Sequence, residues 1–186
     1  WDLSTASYAS VSFSVASQEN IPRSVTFNSS GSKMYIVGSQ NDSVYQYSTV
    51  APAWTNPNLA TASYDSVSFS VTTEATDPHG LFFKPDGTKM YVIDDGNNAL
   101  YQYSLSTAWD VSTASYDSVS FSVLTQESIP ARVYFKPDGT KFYLTGFSSD
   151  TVFEYSLSTA WDLSTASYNS VSFDASGTTT TPNALS

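Results

Sequence analysis

The chain has 186 residues, 40% of them hydrophobic, and no cysteine; it is long enough to bury a sizeable core, and neither disulfides nor thiolate metal sites hold that core together. Seventeen acidic against seven basic residues give a formal net charge of −10, which repels phosphate backbones and anionic lipid surfaces and argues against nucleic acid as a partner. No apolar run approaches the roughly 20 residues of a spanning helix, and sparse charge with abundant Ser, Thr and Tyr suits an extracellular or surface-exposed β protein.

One phrase recurs. Trp1-Asp2-Leu3-Ser4-Thr5-Ala6-Ser7-Tyr8 returns at Trp109 and again at Trp161, with a looser copy from Trp54 to Tyr64. Tyr8, Tyr64, Tyr116 and Tyr168 are spaced by 56, 52 and 52 residues, a period that means stacked supersecondary units. The extra residues fall in one connection, between Tyr47 and Tyr64, where a loop absorbs length that paired strands cannot. The chain opens inside a repeat, as expected of a piece of a longer protein.

In chain order, residues 1–15 read as an orphan outer strand with its strand proper at 11–15, followed by repeats at 22–71, 78–123 and 130–173. Residues 174–186 start a further unit, with Pro182 aligned to Pro78. The middle repeat is the clearest. Gly80-Leu81-Phe82-Phe83-Lys84 and Lys89-Met90-Tyr91-Val92-Ile93 flank Pro85-Asp86-Gly87-Thr88, the pattern of a hairpin. Asp94-Asp95-Gly96-Asn97-Asn98 is a second turn cluster, Ala99-Leu100-Tyr101-Gln102-Tyr103-Ser104 a third strand, and Ser118-Val119-Ser120-Phe121-Ser122-Val123 alternates as a half-buried fourth. Phe27, Phe83 and Phe135 align, as do Gly31, Gly87 and Gly139, Lys33, Lys89 and Lys141, and Tyr35, Tyr91 and Tyr143. Such units, about three and a half of them, predict an all-β, propeller-type array of four-stranded antiparallel blades.

The hairpin Phe83-Lys84-Pro85-Asp86-Gly87-Thr88-Lys89-Met90-Tyr91-Val92, with its copy from Phe135 to Leu144, resembles those of YVTN-type β-propeller repeats, known in surface-layer and lactonase-like propellers. It is also similar to NHL and WD-like hairpins. The first copy departs from the pattern with Asn28-Ser29-Ser30-Gly31-Ser32. The resemblance covers three repeats and implies a fold rather than an activity.

In propellers a ligand meets the channel mouth, at the residues leading into each innermost strand. Here these include Glu19, Arg23, His79, Glu127 and Arg132, in a chain with a single His. They read either as a polar or anionic rim that binds a ligand, or as loop charges with Glu19 and Glu127 pairing the arginines. His79 alone lacks the companions of a metal site, and the Asp94 to Asn98 cluster matches no EF-hand spacing and reads as a turn. No catalytic residue, metal or cofactor is expected. Tyr45, Tyr47, Tyr101, Tyr103 and Tyr155 read as core with hydroxyls reaching backbone partners rather than as a sugar platform, and the tryptophans as packing at blade edges.

Three blades do not close a ring, which takes four to eight. The expectation is therefore a non-enzymatic binding or structural module of a secreted or surface protein, with a protein or carbohydrate ligand. Its ring would be completed by a head-to-tail second copy or by further repeats. The alternatives are a lactonase-like or other hydrolytic propeller, and a purely architectural surface-layer, adhesin or viral-fibre repeat.

Overall fold

A computed structural model describes residue 7 and residues 10–49 and 59–177. The first Trp phrase apart from Ser7, the Trp54 copy up to residue 58 with its loop insertion, and the Pro182 segment lie outside these residues. Among the described residues twelve strands form three four-stranded antiparallel blades, each in simple up-and-down order. Blade 1 is β1 (Pro22–Phe27), β2 (Lys33–Gly38), β3 (Ser43–Ser48) and β4 (Ser63–Ser70). Blade 2 is β5 (Pro78–Phe83), β6 (Lys89–Asp94), β7 (Ala99–Leu105) and β8 (Ala114–Ser122), and blade 3 is β9 (Pro130–Phe135), β10 (Lys141–Gly146), β11 (Thr151–Leu157) and β12 (Ala166–Asp174). Among the described residues no helix is long and apolar enough to cross a membrane.

The hairpins obey local chemistry. Gly31, Gly87 and Gly139 all adopt positive φ, where an L side chain is strained. At Gly87 and Gly139 a Cβ would also overlap the rings of Trp109 and Trp161. Each of these tryptophans is pinned to its own hairpin, its N–H donating to the Gly87 or Gly139 carbonyl at 3.0 Å. Its own carbonyl accepts from the blade before: Tyr35 Oη donates to Trp109 O and Tyr91 Oη to Trp161 O, both at 2.7 Å. The tryptophans thus join neighbouring blades, and their rings lie against Tyr35 and Phe83, or Phe82 and Phe135.

The fourth strand differs from expectation. In blade 2 it starts at Ala114, four residues before Ser118, because Tyr116 pairs with Tyr103 and Val119 with Gln102, leaving Asp117 and Ser118 as a bulge. Ser66, Ser118 and Ser170 sit at positive φ at this place in each blade. The bulge re-aims the residue before it. Asp65 accepts from Lys33 Nζ at 2.6 Å and Asp117 from Lys89 Nζ at 3.0 Å.

Residues 11–15, expected as a strand, carry no strand pairing. The third strand they would pair with belongs to a preceding blade, which the described residues do not supply. Phe13 and Val15 nevertheless pack on Met34, Ile36 and Tyr47, just as Val67 and Phe69 pack on blade 2 and Val119 and Phe121 on blade 3. Phe13 meets Tyr47 edge-on at 5.6 Å, Phe69 meets Tyr103 at 5.6 Å, and Phe121 meets Tyr155 at 5.5 Å. Two complete cores therefore lie between blades, and half of a third lies on the outer face of blade 1.

Candidate functional site

The first strands of the three blades lie against one another, β5 touching both β1 and β9. They line a cleft of about 440 Å³ among Arg23, Val25, Phe27, Phe82, Arg132 and Tyr134. At its rim the structure brings Arg23, His79 and Arg132 together. Arg132 Nη1 donates to the carbonyls of His79 and Ala131 at 2.8 Å, and its Nη2 to the Arg23 carbonyl at 2.7 Å. One guanidinium thus ties the inner strands of all three blades. Arg23 Nε donates to Ser39 Oγ at 3.0 Å.

Glu19 and Glu127 lie apart from this group and pair with neither arginine. Both are buried, and each carboxylate accepts main-chain N–H groups: Ile21, Gln40 and Asn41 for Glu19, and Ile129, Ser148 and Ser149 for Glu127. The Glu127 side chain also receives the hydroxyls of Ser148 and Ser149. A glycine opposite makes room, since a Cβ on Gly38 or Gly146 would overlap the glutamate chain and the carbonyl of Ile21 or Ile129. Blade 2 solves the problem from the other strand. Ala75 replaces the glutamate and Asp94 the glycine, and Asp94 accepts from Asp77 N and Asn97 N, both at 2.7 Å. The same carboxylate need is met in every blade, because buried N–H groups without acceptors are costly.

The tyrosines expected as core are so: Tyr47, Tyr103 and Tyr155 are fully buried and Tyr101 nearly so, while Tyr45 is half-buried. Their hydroxyls differ from expectation, reaching side chains rather than backbone, as Tyr47 faces Gln18, Tyr103 faces Glu74 and Tyr155 faces Gln126 at 3.4 to 3.5 Å. Burial pushes Tyr47 up to about 12, so it stays protonated at neutral pH.

The middle copy contains what the linear reading missed. His79, the lone imidazole, has two carboxylate neighbours, Asp77 and Asp95, and one ligand atom from each of the three lies within 4.8 Å of the others. His79 Nε2 and Asp77 Oδ1 stand 3.3 Å apart, yet both are buried atoms without a hydrogen bond. Burial lowers the imidazole's pKa, against the pull of Asp77 upward. Burial likewise raises Asp95, the nearby His79 opposing it. Asp95 came from a cluster that reads as a turn, and folding brings it across from β6 to the entry of β5. A signal was present in the repeat itself. Blade 1 has Ile21, Arg23 and Ser39 at these three positions, and blade 3 has Ile129, Ala131 and Phe147. Only the middle copy departs toward metal-ligating residue types at all three.

No family model and no curated protein matches the chain. Solved structures do. A protein of unknown function from Desulfotomaculum acetoxidans superposes with TM-score 0.57 at 16% identity, over 82% of this chain and 42% of that one. A protein assigned as a 6-phosphogluconolactonase from Bacteroides fragilis gives 0.56 at 13%, over 82% and 39%. A periplasmic gluconolactonase of Pseudomonas aeruginosa gives 0.56 at 14%, again over 82% and 39%. This chain spans about two-fifths of the length of these structures. Its fold is that of a β-propeller repeat protein.

Proposed function

We propose that the chain is a non-enzymatic propeller module of a secreted or surface protein, which binds or scaffolds, and whose ring is completed by repeating its own blade-to-blade contact with a second copy. The observation that carries this is the match between its two outer faces. On blade 1, Val25 is 55% exposed, whereas Leu81 and Val133, its counterparts in blades 2 and 3, are 6% exposed. With Phe13, Phe27, Met34, Ile36 and Leu59 it borders an apolar groove of about 380 Å³. On blade 3, Phe173 is 67% exposed, while Phe69 and Phe121 pack on the next blade; in the ring Phe173 of one copy would displace Phe13 of the other from the place on Tyr47 that it holds in the single chain.

The polar groups match as well. Gln46 Oε1 accepts from Val111 N, and Gln102 Oε1 from Leu163 N, across the two filled interfaces. On blade 3 that position is Glu154, and on blade 1 the residue aligned with Val111 and Leu163 is Leu59. Glu154 also completes a charge exchange. Where blades 1 and 2 surround a lysine with Gln46 and Asp65, or Gln102 and Asp117, blade 3 surrounds Lys141 with Glu154 and Asn169. The carboxylate has moved to the residue that faces the next blade. Any ligand taken at the channel mouth would meet Arg23, His79 and Arg132.

A head-to-tail contact is tested by mixing. Val25→Glu and Phe173→Glu each damage one face, so either variant alone has no intact interface in a two-chain ring. Their mixture has one. The reading expects both variants to be monomeric and the mixture to contain a heterodimer by light scattering. Dimers from either variant alone contradict it.

A further inference from the structure

We propose that Asp77, His79 and Asp95 form a binding site for a divalent transition ion of the zinc type, at the rim of blade 2. This inference is independent of how the ring is completed. Its geometric basis is the pair of unpartnered atoms. His79 has a side chain only 6% exposed, and its Nε2 faces Asp77 Oδ1 at 3.3 Å without the alignment of a hydrogen bond. Two donors bound at about 2.1 Å to one tetrahedral zinc stand about 3.4 Å apart, so this separation is that of two ligands awaiting a shared cation. Asp95 supplies the third ligand within 4.8 Å and is half-buried.

The surroundings agree. Two carboxylates and one imidazole converge here, a donor set suited to a divalent ion. Arg23 and Arg132 act on His79, and Arg23 on Asp95, through their charge, but their hydrogen bonds go elsewhere: Arg132 donates to the main-chain carbonyls of His79, Ala131 and Arg23, and Arg23 donates to Ser39. Among the described residues no ion pair joins either arginine to Asp77 or Asp95. The mixed imidazole and carboxylate set favours zinc, cobalt or nickel over calcium and magnesium, which take oxygen ligands. Three protein ligands leave a fourth position for water or for a ligand arriving at the channel mouth. The ion would clamp the entry of β5 to the β6–β7 turn. Asp94, which caps Asp77 N and Asn97 N, already holds both segments in place.

The test uses the tag-free full chain, stripped with a chelator and desalted. Calorimetric titration with zinc is expected to give one bound equivalent and a higher unfolding temperature, and cobalt the visible absorption of a low-coordinate site. His79→Gln and Asp95→Asn are each expected to weaken zinc binding by about 100-fold or more, since losing even an outer-shell partner of a metal ligand costs about 10- to 100-fold. Asp95→Asn changes a half-buried group and decides the matter if His79→Gln fails to fold. Asp150→Asn, at a different turn, is the control and should bind as the parent does. Absence of a zinc-dependent rise in unfolding temperature, or unchanged affinity in Asp95→Asn, overturns the proposal.

Discussion

The interface between blades 2 and 3 and the outer face of blade 1 are built from the same repeat, yet one is filled and the other half empty. In the filled interface Tyr91, Phe135 and Phe142 are buried among Phe82, Phe121 and Trp161. Tyr91 donates across to Trp161. On blade 1, Phe27, Tyr45 and Leu59 remain partly exposed beside Met34 and Ile36, with only the 11–15 segment laid over them. The difference teaches that a blade's stability is shared property. Each sheet contributes one half of two cores, and about 1.5 to 3 kcal/mol per large apolar side chain appears only when the second half arrives.

The sharpest way to break the comparison is truncation on each side of it. Phe135→Ala should cost about 3 to 5 kcal/mol in denaturant unfolding. Phe173→Ala should change the stability of a dilute, monomeric sample by less than about 0.5 kcal/mol. Equal costs would mean that the outer face is already covered.

Next in size is the carboxylate that each blade needs at its second turn. Glu127→Ala leaves the N–H groups of Ile129, Ser148 and Ser149 without their acceptor and should cost about 1 to 3 kcal/mol. Adding Gly146→Asp to that variant supplies a carboxylate from the strand that Asp94 uses in blade 2, and should recover part of the loss, the Ile129 carbonyl having to give way to the new Cβ. Gly146→Asp alone should destabilise, because a Cβ there overlaps both the Ile129 carbonyl and the Glu127 side chain. Thermal melts of the three variants form a cycle, and additivity between the two changes would refute the shared role.

A smaller effect is expected from Tyr91→Phe, which removes the hydroxyl bond to the Trp161 carbonyl and should cost about 1 kcal/mol. The smallest is a dependence on acid. Burial pushes Asp117 up, but the hydrogen bonds of Gln102, Ser104 and Lys89 outweigh it and hold its carboxyl below the usual range. A carboxylate depressed in the folded state contributes stability above its unfolded pKa of about 3.9, lost as pH falls through the folded value. Asp65, held down in the same way by Lys33, Ser48 and Gln46 against burial, adds to it. Asp117→Asn should flatten the fall in stability below about pH 4. Combining it with Gln102→Glu imitates blade 3 and should restore the slope.

Much of this architecture could be read from the chain because identical residues recur in register. The hairpin glycines, the Lys33, Lys89 and Lys141 positions and the buried Tyr47, Tyr103 and Tyr155 followed from alternation and spacing. The start of the fourth strand did not, because alternation shows no bulge, and Asp65 and Asp117 look like exposed polar residues until the bulge turns them toward a lysine. Glu19 and Glu127 looked like rim charges because their glycine partners, Gly38 and Gly146, lie about 20 residues on. The Asp77, His79 and Asp95 group was hidden for a related reason. Asp95 belongs to a turn that chemistry explains locally, and only strand pairing carries it to the imidazole.

The most direct measurement is the solution mass of the unmodified chain by light scattering on a sizing column. A ring completed head to tail predicts twice the 20.1 kDa of a single chain, with both outer faces protected from an apolar dye. A monomer that also binds no dye would contradict it, because Val25 and Phe173 would then be covered from within the chain.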